Sequence, residues 1–495
     1  MIAPALRPKV KIISDDFVER IIVEAFSILE KVGIYIENPD AYQHLQACGA
    51  SAAGLEDKEK GIGRLTFPRK MVEDALNTAP SAIQLWNIIG DKCCDLSGDM
   101  VNFDPGSAAL YLYDRKQQKI RKPVTADLID FVHLVDSLPN FNLQSTALVS
   151  SDVLEACGDS YRLYLALREG SKPVITGTFE KASFTVMKEM LTLVRGGAAE
   201  LKAKPLAIFD ACPSPPLMWS DLTTQSVMEA ALAGIPSEFV SMPLTGSTAP
   251  MSLSGAVTQH AAETLCGIVI AQSAAAGAPV IWGGSPSAMD MRFGTTPMGA
   301  IETMMIDMAD VAVGKALGLP THAYMGLSDA KRVDYQAGLE SAMGILLAAL
   351  SGVNMVSGPG MMDFESCQSF EKLVLDNEIC GMAYRLIEGM AQRDSVMALD
   401  LLTALEPGGH LLTHPHTLKW FRDEIYSPGK SIDRRARGSQ EFTELPTAED
   451  RAAAEVEKIL AQDHQPALNE DLQKELDNVM EAELKRAGGS GLPEK

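Results

Sequence analysis

From about residue 100 the chain repeats one unit, an apolar run of strand length followed by a helical stretch. The runs are Met100–Asp104, Asn142–Val149, Pro173–Phe179, Pro205–Cys212, Glu238–Leu244, Pro279–Gly284, Thr321–Leu327 and Val353–Ser357, spaced roughly 30 to 45 residues apart. Each ends near Gly, Ser, Pro or Asp. The intervening helices include Ser160–Arg168, Lys181–Val194, Thr223–Ala233, Leu253–Ala274, Ala300–Ala316, Tyr335–Leu350 and Ser369–Arg393. Parallel strands need crossover connections, usually helices, so eight such units predict a (β/α)8 TIM barrel in the α/β class. An open doubly wound sheet would show fewer strands and a phosphate-binding glycine loop after the first. No G-x-G-x-x-G stands there.

The flanks read differently. Residues 1–99 predict an α+β N-terminal cap. Ser14 caps a helix with apolar positions Val18, Ile21, Ile22, Ala25, Ile28, Leu29 and Val32, and Gly33 follows as the C′ glycine. A second helix (Lys70–Ala79) and strand-like pieces at Gln84–Asn87 and Lys92–Leu96 come next. The barrel is expected over 100–393 and a charged helical C-terminal extension over 394–495, with helices at Ala448–Leu460 and Asn469–Ala487.

The charge narrows the partners. A net charge of −22 and a pI near 4.8 argue against nucleic acid and anionic membranes, which select Lys/Arg patches. The start MIAPALRPKVKIIS lacks a signal-peptide core, and no apolar stretch is long and clean enough to span a bilayer. The eight cysteines form no C-x-x-C and scatter as a reduced set. A cytoplasmic protein is expected.

Chemistry in a barrel sits at the carboxyl ends of its strands. Those ends carry Phe103-Asp104, Gly177-Thr178-Phe179, Phe209-Asp210, Met242-Pro243, Trp282-Gly283-Gly284-Ser285, Leu327-Ser328-Asp329 and Ser357-Gly358-Pro359-Gly360. Apart from three Asp, they are aromatic, Met, Gly and Pro. No Lys offers a Schiff base and no H-x-H follows the first strand. Such a set suits a cation held by aromatic faces, worth roughly 0.5–2 kcal/mol for each, or simply fills the barrel. His260 and Glu263 lie three apart on one helix, an arrangement that ligates metal or satisfies a buried loop. His410, His414 and His416 resemble zinc ligands but lie outside the barrel, where capping roles compete. Asp329 reads equally as a catalytic carboxylate or a loop cap.

The segments SMPLTGSTAPMSLSGAVTQHAAETLCGIV, GAPVIWGG, MGLSDAK, FEKLVLDNEICG, HTLKWFRDEIYSP and SAALYLYDRKQQKIRKPVTADLIDFVHLVDSLPN together resemble the trimethylamine methyltransferase superfamily. The resemblance covers nearly the whole chain. It implies a TIM barrel that moves a methyl group from an amine to the Co(I) of a corrinoid, a cobalamin presented by a separate protein, with no tightly bound metal.

Leu327 stands where the trimethylamine enzymes carry pyrrolysine, so the chain looks like a non-pyrrolysine member of the glycine betaine type. A quaternary amine already carries its charge and leaves as a neutral tertiary amine, dimethylglycine from betaine. It needs no electrophile, and an inert Leu327 suffices as wall of the catalytic loop beside Asp329. Phe103, Phe179, Phe209, Met242 and Trp282 are the expected cage, with His260, Lys331 or Arg292 for a substrate carboxylate. Gly283, Gly284, Ser285, Gly358 and Gly360 are expected to let the corrinoid approach closely. Proline betaine, carnitine and choline are alternative donors. A zinc-dependent methyltransferase, a non-catalytic partner of the corrinoid protein, and the oligomeric state all stay open.

Overall fold

Local sequence sets the helix ends. In the computed structural model, which describes residues 5–106, 108–436, 445–489 and 491–493, Ser14 accepts the Phe17 N–H at the start of the helix Asp15–Lys31, and Gly33 follows it at φ +78°. Asn38, Ser220, Ser252, Asp334, Ser369, Thr447 and Asn469 cap later helices in the same way.

Eight parallel strands alternate with these helices: β1 (Asn102–Phe103), β2 (Gln144–Ser145), β3 (Val174–Gly177), β4 (Ala207–Ala211), β5 (Ser237–Ser241), β6 (Val280–Gly284), β7 (His322–Tyr324) and β8 (Met355–Ser357). Strands β2 to β6 form one parallel sheet in chain order, with Ile175 opposite Ser145 and Ile208, Asp210 opposite Glu238, and Phe239 opposite Trp282. β7, β8 and β1 form a second, also parallel, with Val356 opposite Phe103. A few contacts join the two at both ends. Trp282 bridges to Thr321, just before β7. The Asn142 N–H, just before β2, donates to the Phe103 carbonyl of β1 at 2.9 Å. Seven of the eight apolar runs contain their strand, and β5 starts one residue ahead of the run Glu238–Leu244; each strand is shorter than its run.

The strands have two differently furnished faces. On one, Leu143, Ile175, Ile208, Ile281 and Met355 form a core cluster with Ile83, Leu85, Cys94 and Leu96. The last four belong to an N-terminal hairpin, Ile83–Trp86 with Lys92–Leu96. This hairpin lies at the amino ends of the strands, where the Trp86 N–H donates to Pro205 and the Ile88 N–H to Ser171. The other face packs on helices. Leu253–Ala274 is buried without a break from Ala256 to Gln272, which explains why its apolar residues run all round the helix rather than along one stripe.

The N-terminal residues are woven into this frame. Helices Asp15–Lys31 and Arg69–Thr78 pack on Leu253–Ala274. Strand Ile34–Ile36 pairs with Gly63–Thr66 on one side and with Met218–Trp219, in the loop after β4, on the other. Two hairpins, Tyr111–Asp114 with Lys119–Arg121 and Met361–Met362 with Cys367–Gln368, were not expected from the sequence; Cys367–Gln368 pairs with Tyr111–Leu112. The tail helices fall at Ala448–Leu460 and Glu470–Arg486. Among the described residues, no helix is long and apolar enough to cross a membrane.

Candidate active site

A cavity of about 450 Å³ opens at the carboxyl ends of the strands, within the usual range for small-molecule sites. Gly177 ends β3 and Thr178 and Phe179 follow it, Asp210 lies in β4 with Cys212 just after it, Val240 lies in β5 with Met242 just after it, and Tyr324 ends β7. Ala108 and Leu110, Arg162, and the loop Phe364-Glu365-Ser366 complete the wall. Aromatic rings, carboxyl groups and one guanidinium therefore face a common space.

Each is held by second contacts. Asp159 accepts the backbone N–H groups of Phe179 (2.6 Å) and Glu180 (3.1 Å), and Thr178 bonds Ser226 at 2.9 Å, which fixes the loop after β3. The same Asp159 takes an N–H of Arg162 at 3.1 Å, while another Arg162 N–H donates to the Thr146 carbonyl at 3.0 Å. The buried guanidinium stands 5.3 Å from the Phe179 ring centre.

The loop bearing Phe364 and Glu365 is strained. Asp363, Phe364 and Glu365 take φ values of +52°, +56° and +72° in succession, although none is glycine. Residues so placed cost about 1–3 kcal/mol each and collect at functional sites. Lys331 clamps the turn, with its ammonium 3.6 Å above the Phe364 ring centre and 3.2 Å from the Asp363 carboxylate. Burial pushes the Glu365 carboxyl up to about 8.

One layer deeper, the strands carry a buried polar chain. His322 Nδ1 lies 2.5 Å from Glu238 Oε1, close in distance but poorly aligned for a hydrogen bond. His322 Nε2 meets Ser357 Oγ at 2.8 Å, and the Ser357 hydroxyl donates to Asp104 Oδ2 at 2.6 Å. That hydroxyl is thus committed as a donor, so Nε2–H must donate to it. Burial pushes Glu238 well above the usual carboxylate range and His322 down to about 4, against the pull of Asp104 and Asp310. Burial also raises Asp104 to about 7, while Ser357 and His322 hold it down. His322 is therefore uncharged at neutral pH, and burial disfavours charge on Glu238. Gly283 makes room for it: a Cβ there would stand 3.0 Å from His322 Nδ1 and 3.1 Å from Glu238 Cγ.

Of the expected cage, Phe179 and Met242 line the cavity. Phe103, Phe209 and Trp282 do not. Phe103 packs on Tyr384 at 5.1 Å and Phe209 on Phe184 at 4.9 Å, both between strand and helix. Trp282 is fully buried, donates from Nε1 to Asp310 at 2.9 Å and meets His260 at 5.8 Å. His260 lies on that same helix-facing side, with Nδ1 2.6 Å from Asp310 and Nε2 2.9 Å from the Gly283 carbonyl. Burial disfavours its charge, but Asp310 more than compensates and raises it. Glu263 turns away to Leu217, Ser241 and Gln259.

Leu327, 1% exposed, belongs to the main core cluster and abuts Gly358 rather than the cavity. Asp329 accepts the Met298 and Gly299 N–H groups at 2.9 and 3.0 Å, the loop-cap role; burial and then Glu340 raise it to about 6. Arg292 pairs with Asp290 on the surface. Gly283, Gly284, Ser285, Gly358 and Gly360 are all buried. Gly284 is needed for packing, because a Cβ there would sit 2.2 Å from His260 Nε2. Gly360 donates its N–H to Asp376 at 2.7 Å. None of the five offers an open surface to a flat cofactor. In the tail, His414 Nδ1 caps its own helix and His416 pairs with Asp394 at 3.2 Å. Among the described residues, no three His, Cys, Asp or Glu gather as metal ligands.

Tyr324, Phe364, Glu365 and Arg162 line the site without having been named from the sequence, and Asp210, named only as a strand end, lines it too. The signal that could have found the strand residues is period two. Ile208-Phe209-Asp210, Ile281-Trp282-Gly283 and Met355-Val356-Ser357 each place an apolar residue in the floor and a polar or small one a layer above it, on the same face.

The α/β frame is shared with a solved methylamine enzyme. The monomethylamine methyltransferase MtmB of Methanosarcina barkeri superposes with a TM-score of 0.52 over 77% of each chain, at 11% identity. The chain itself belongs to the trimethylamine methyltransferase (MTTB) family, whose model matches residues 3–488. It is 30% identical to a glycine betaine methyltransferase of Desulfitobacterium hafniense (strain Y51), over 98% of this chain and 99% of the relative. It is 29% identical to the trimethylamine methyltransferase MttB of Methanosarcina thermophila over 88% of each. The protein is a methyltransferase of this family.

Proposed function

We propose that this methyltransferase removes a methyl group from a quaternary ammonium compound of the glycine betaine type and passes it to a corrinoid carried by a separate protein. On this reading the eight strands close into a (β/α)8 barrel and the cavity is its mouth. The observation that carries the proposal is the cavity wall. The rings of Phe179, Tyr324 and Phe364 stand with the carboxyl groups of Asp210 and Glu365 around one space. Aromatic faces and carboxylates both attract a cation that cannot donate hydrogen bonds.

The chain's residues bind, orient and desolvate. Rings and carboxylates hold the trimethylammonium head. Arg162 contributes positive potential for a substrate carboxylate, and its anchoring by Asp159 and Thr146 keeps that potential fixed. The corrinoid supplies a Co(I) nucleophile as methyl acceptor. The amine departs neutral, so no residue has to deliver a proton, and a hydrocarbon at position 327 meets every demand of the reaction. Leu110, Met242, Met251, Met291 and Phe293 are exposed large apolar side chains in the loops after the strands. They are suited to receive the acceptor protein, a role that the buried glycines cannot take.

The test is a panel of glycine betaine, proline betaine, carnitine, choline and trimethylamine with Co(I) cobalamin, followed by the cobalt absorbance change. Methylation with quaternary donors and none with trimethylamine is expected. Turnover with trimethylamine alone would overturn the proposal.

A further inference from the structure

The N-terminal hairpin below the strands contains two adjacent cysteines. Neighbouring residues on a strand normally point to opposite faces. Here Leu85 pairs with Cys94 and Trp86 with Lys92, so Cys93 is the extra residue of a β-bulge. The bulge turns both side chains the same way, and the two sulfurs stand 3.2 Å apart. Cys93 is exposed, whereas Cys94 is buried among Ile83, Leu85 and Leu96 and donates to the Asn142 carbonyl at 3.4 Å.

We propose that Cys93 and Cys94 form a reversible dithiol–disulfide couple, with Cys93 as the attacking thiol and Cys94 as the resolving one. Three features favour these roles. Cys93 can be reached from solvent. The Cys94 thiol and the nearby Lys172 ammonium stabilise a Cys93 thiolate and lower its pKa, against burial, while the same hydrogen bond and burial raise Cys94. Lys172 is fixed beside them by donating to the Val135 and Leu138 carbonyls at 2.5 and 2.9 Å. A low-pKa, accessible thiol beside a resolving cysteine is the usual form of a redox-responsive site.

The oxidant is a low-molecular-weight disulfide. The Cys93 thiolate attacks one of its sulfurs and releases one thiolate. Cys94 then gives up its proton and attacks the Cys93 sulfur, releasing the second. The protein loses two hydrogens and the oxidant is reduced to two thiols. Adjacent Cα atoms are about 3.8 Å apart, closer than the roughly 4.4–6.8 Å of ordinary disulfides. The ring is therefore strained, and strained disulfides are readily reduced. Because Cys94 touches Asn142, whose N–H links β2 to β1, oxidation strains the seam between the two sheets.

Intact full-length protein treated with oxidised glutathione and then denatured should lose about 2 Da and retain six alkylatable thiols of its eight. The change should map to tryptic peptide 93–115, which holds only these two cysteines, and mild dithiothreitol should reverse it. Cys94→Ser should stop at a glutathione adduct on Cys93, and Cys93→Ser should do neither. A wild-type protein that keeps all eight thiols, or ends as a stable adduct on Cys93, overturns the proposal.

Discussion

Glu365 should make the binding of quaternary ammonium compounds depend on pH. Its carboxyl lines the cavity and is pushed up to about 8 by burial. A cation prefers the ionised form. At that value about one-tenth of the carboxyl is ionised at pH 7 and about nine-tenths at pH 9. If only the ionised form binds well, apparent affinity scales with that fraction and rises about tenfold from pH 7 to pH 9. The sign is fixed: a raised acid must lose its proton to receive the cation, so binding strengthens as pH rises through 8 and levels off above it. Calorimetry with glycine betaine and with tetramethylammonium between pH 6.5 and 9.5 measures this. Glu365→Gln should remove the step. A residual step near 7 would belong to Asp104, which lies a layer deeper. A step centred near 8 that survives in Glu365→Gln, or a flat profile in the wild type, would refute the reasoning.

Phe179→Ala should weaken trimethylammonium binding by about 0.5–2 kcal/mol, and hardly affect a neutral tert-butyl isostere, in a competition assay. Trp282→Ala should act on stability, with a loss of about 3–5 kcal/mol in denaturant unfolding and no selective rise in KM, because the indole is sealed between β6 and a helix. Leu327→Ala should likewise cost about 2–5 kcal/mol of stability while leaving methyl transfer intact below the unfolding temperature. Gly284→Ala should cost at least about 1–3 kcal/mol by driving a methyl group into His260, seen as a lowered unfolding midpoint.

The alternation of strand and helix was legible because each buried strand is an apolar run bounded by turn residues. So was the Ser14 cap of the first helix. The direction of each strand-end side chain was not. Phe103-Asp104, Phe209-Asp210 and Trp282-Gly283 each pair an aromatic with a small or acidic neighbour, and the aromatic invited assignment to the cavity. In all three pairs the aromatic fills the strand–helix layer, and the opposite face takes the small or acidic partner. A shift of one residue exchanges the two faces, and only the register with the floor residues Ile208 and Ile281 settles it. The turn at Asp363–Glu365 was illegible for another reason. No glycine announces it, because Lys331 from a distant loop holds the left-handed residues in place. The loop around Leu327 does matter to the site, but through Asp329 and Lys331 as braces.

The hairpin 83–96 has a kinetic consequence. By packing Ile83, Leu85, Cys94 and Leu96 against the amino ends of the strands, it closes the side of the frame away from the cavity's opening at the carboxyl ends. On the proposed reading the methyl donor enters, the spent amine leaves and the acceptor protein docks through that same opening. Traffic must then be sequential: donor in before the acceptor lands, amine out after it departs. An excess of acceptor should slow turnover by standing in the doorway, and raising the donor concentration should relieve that block.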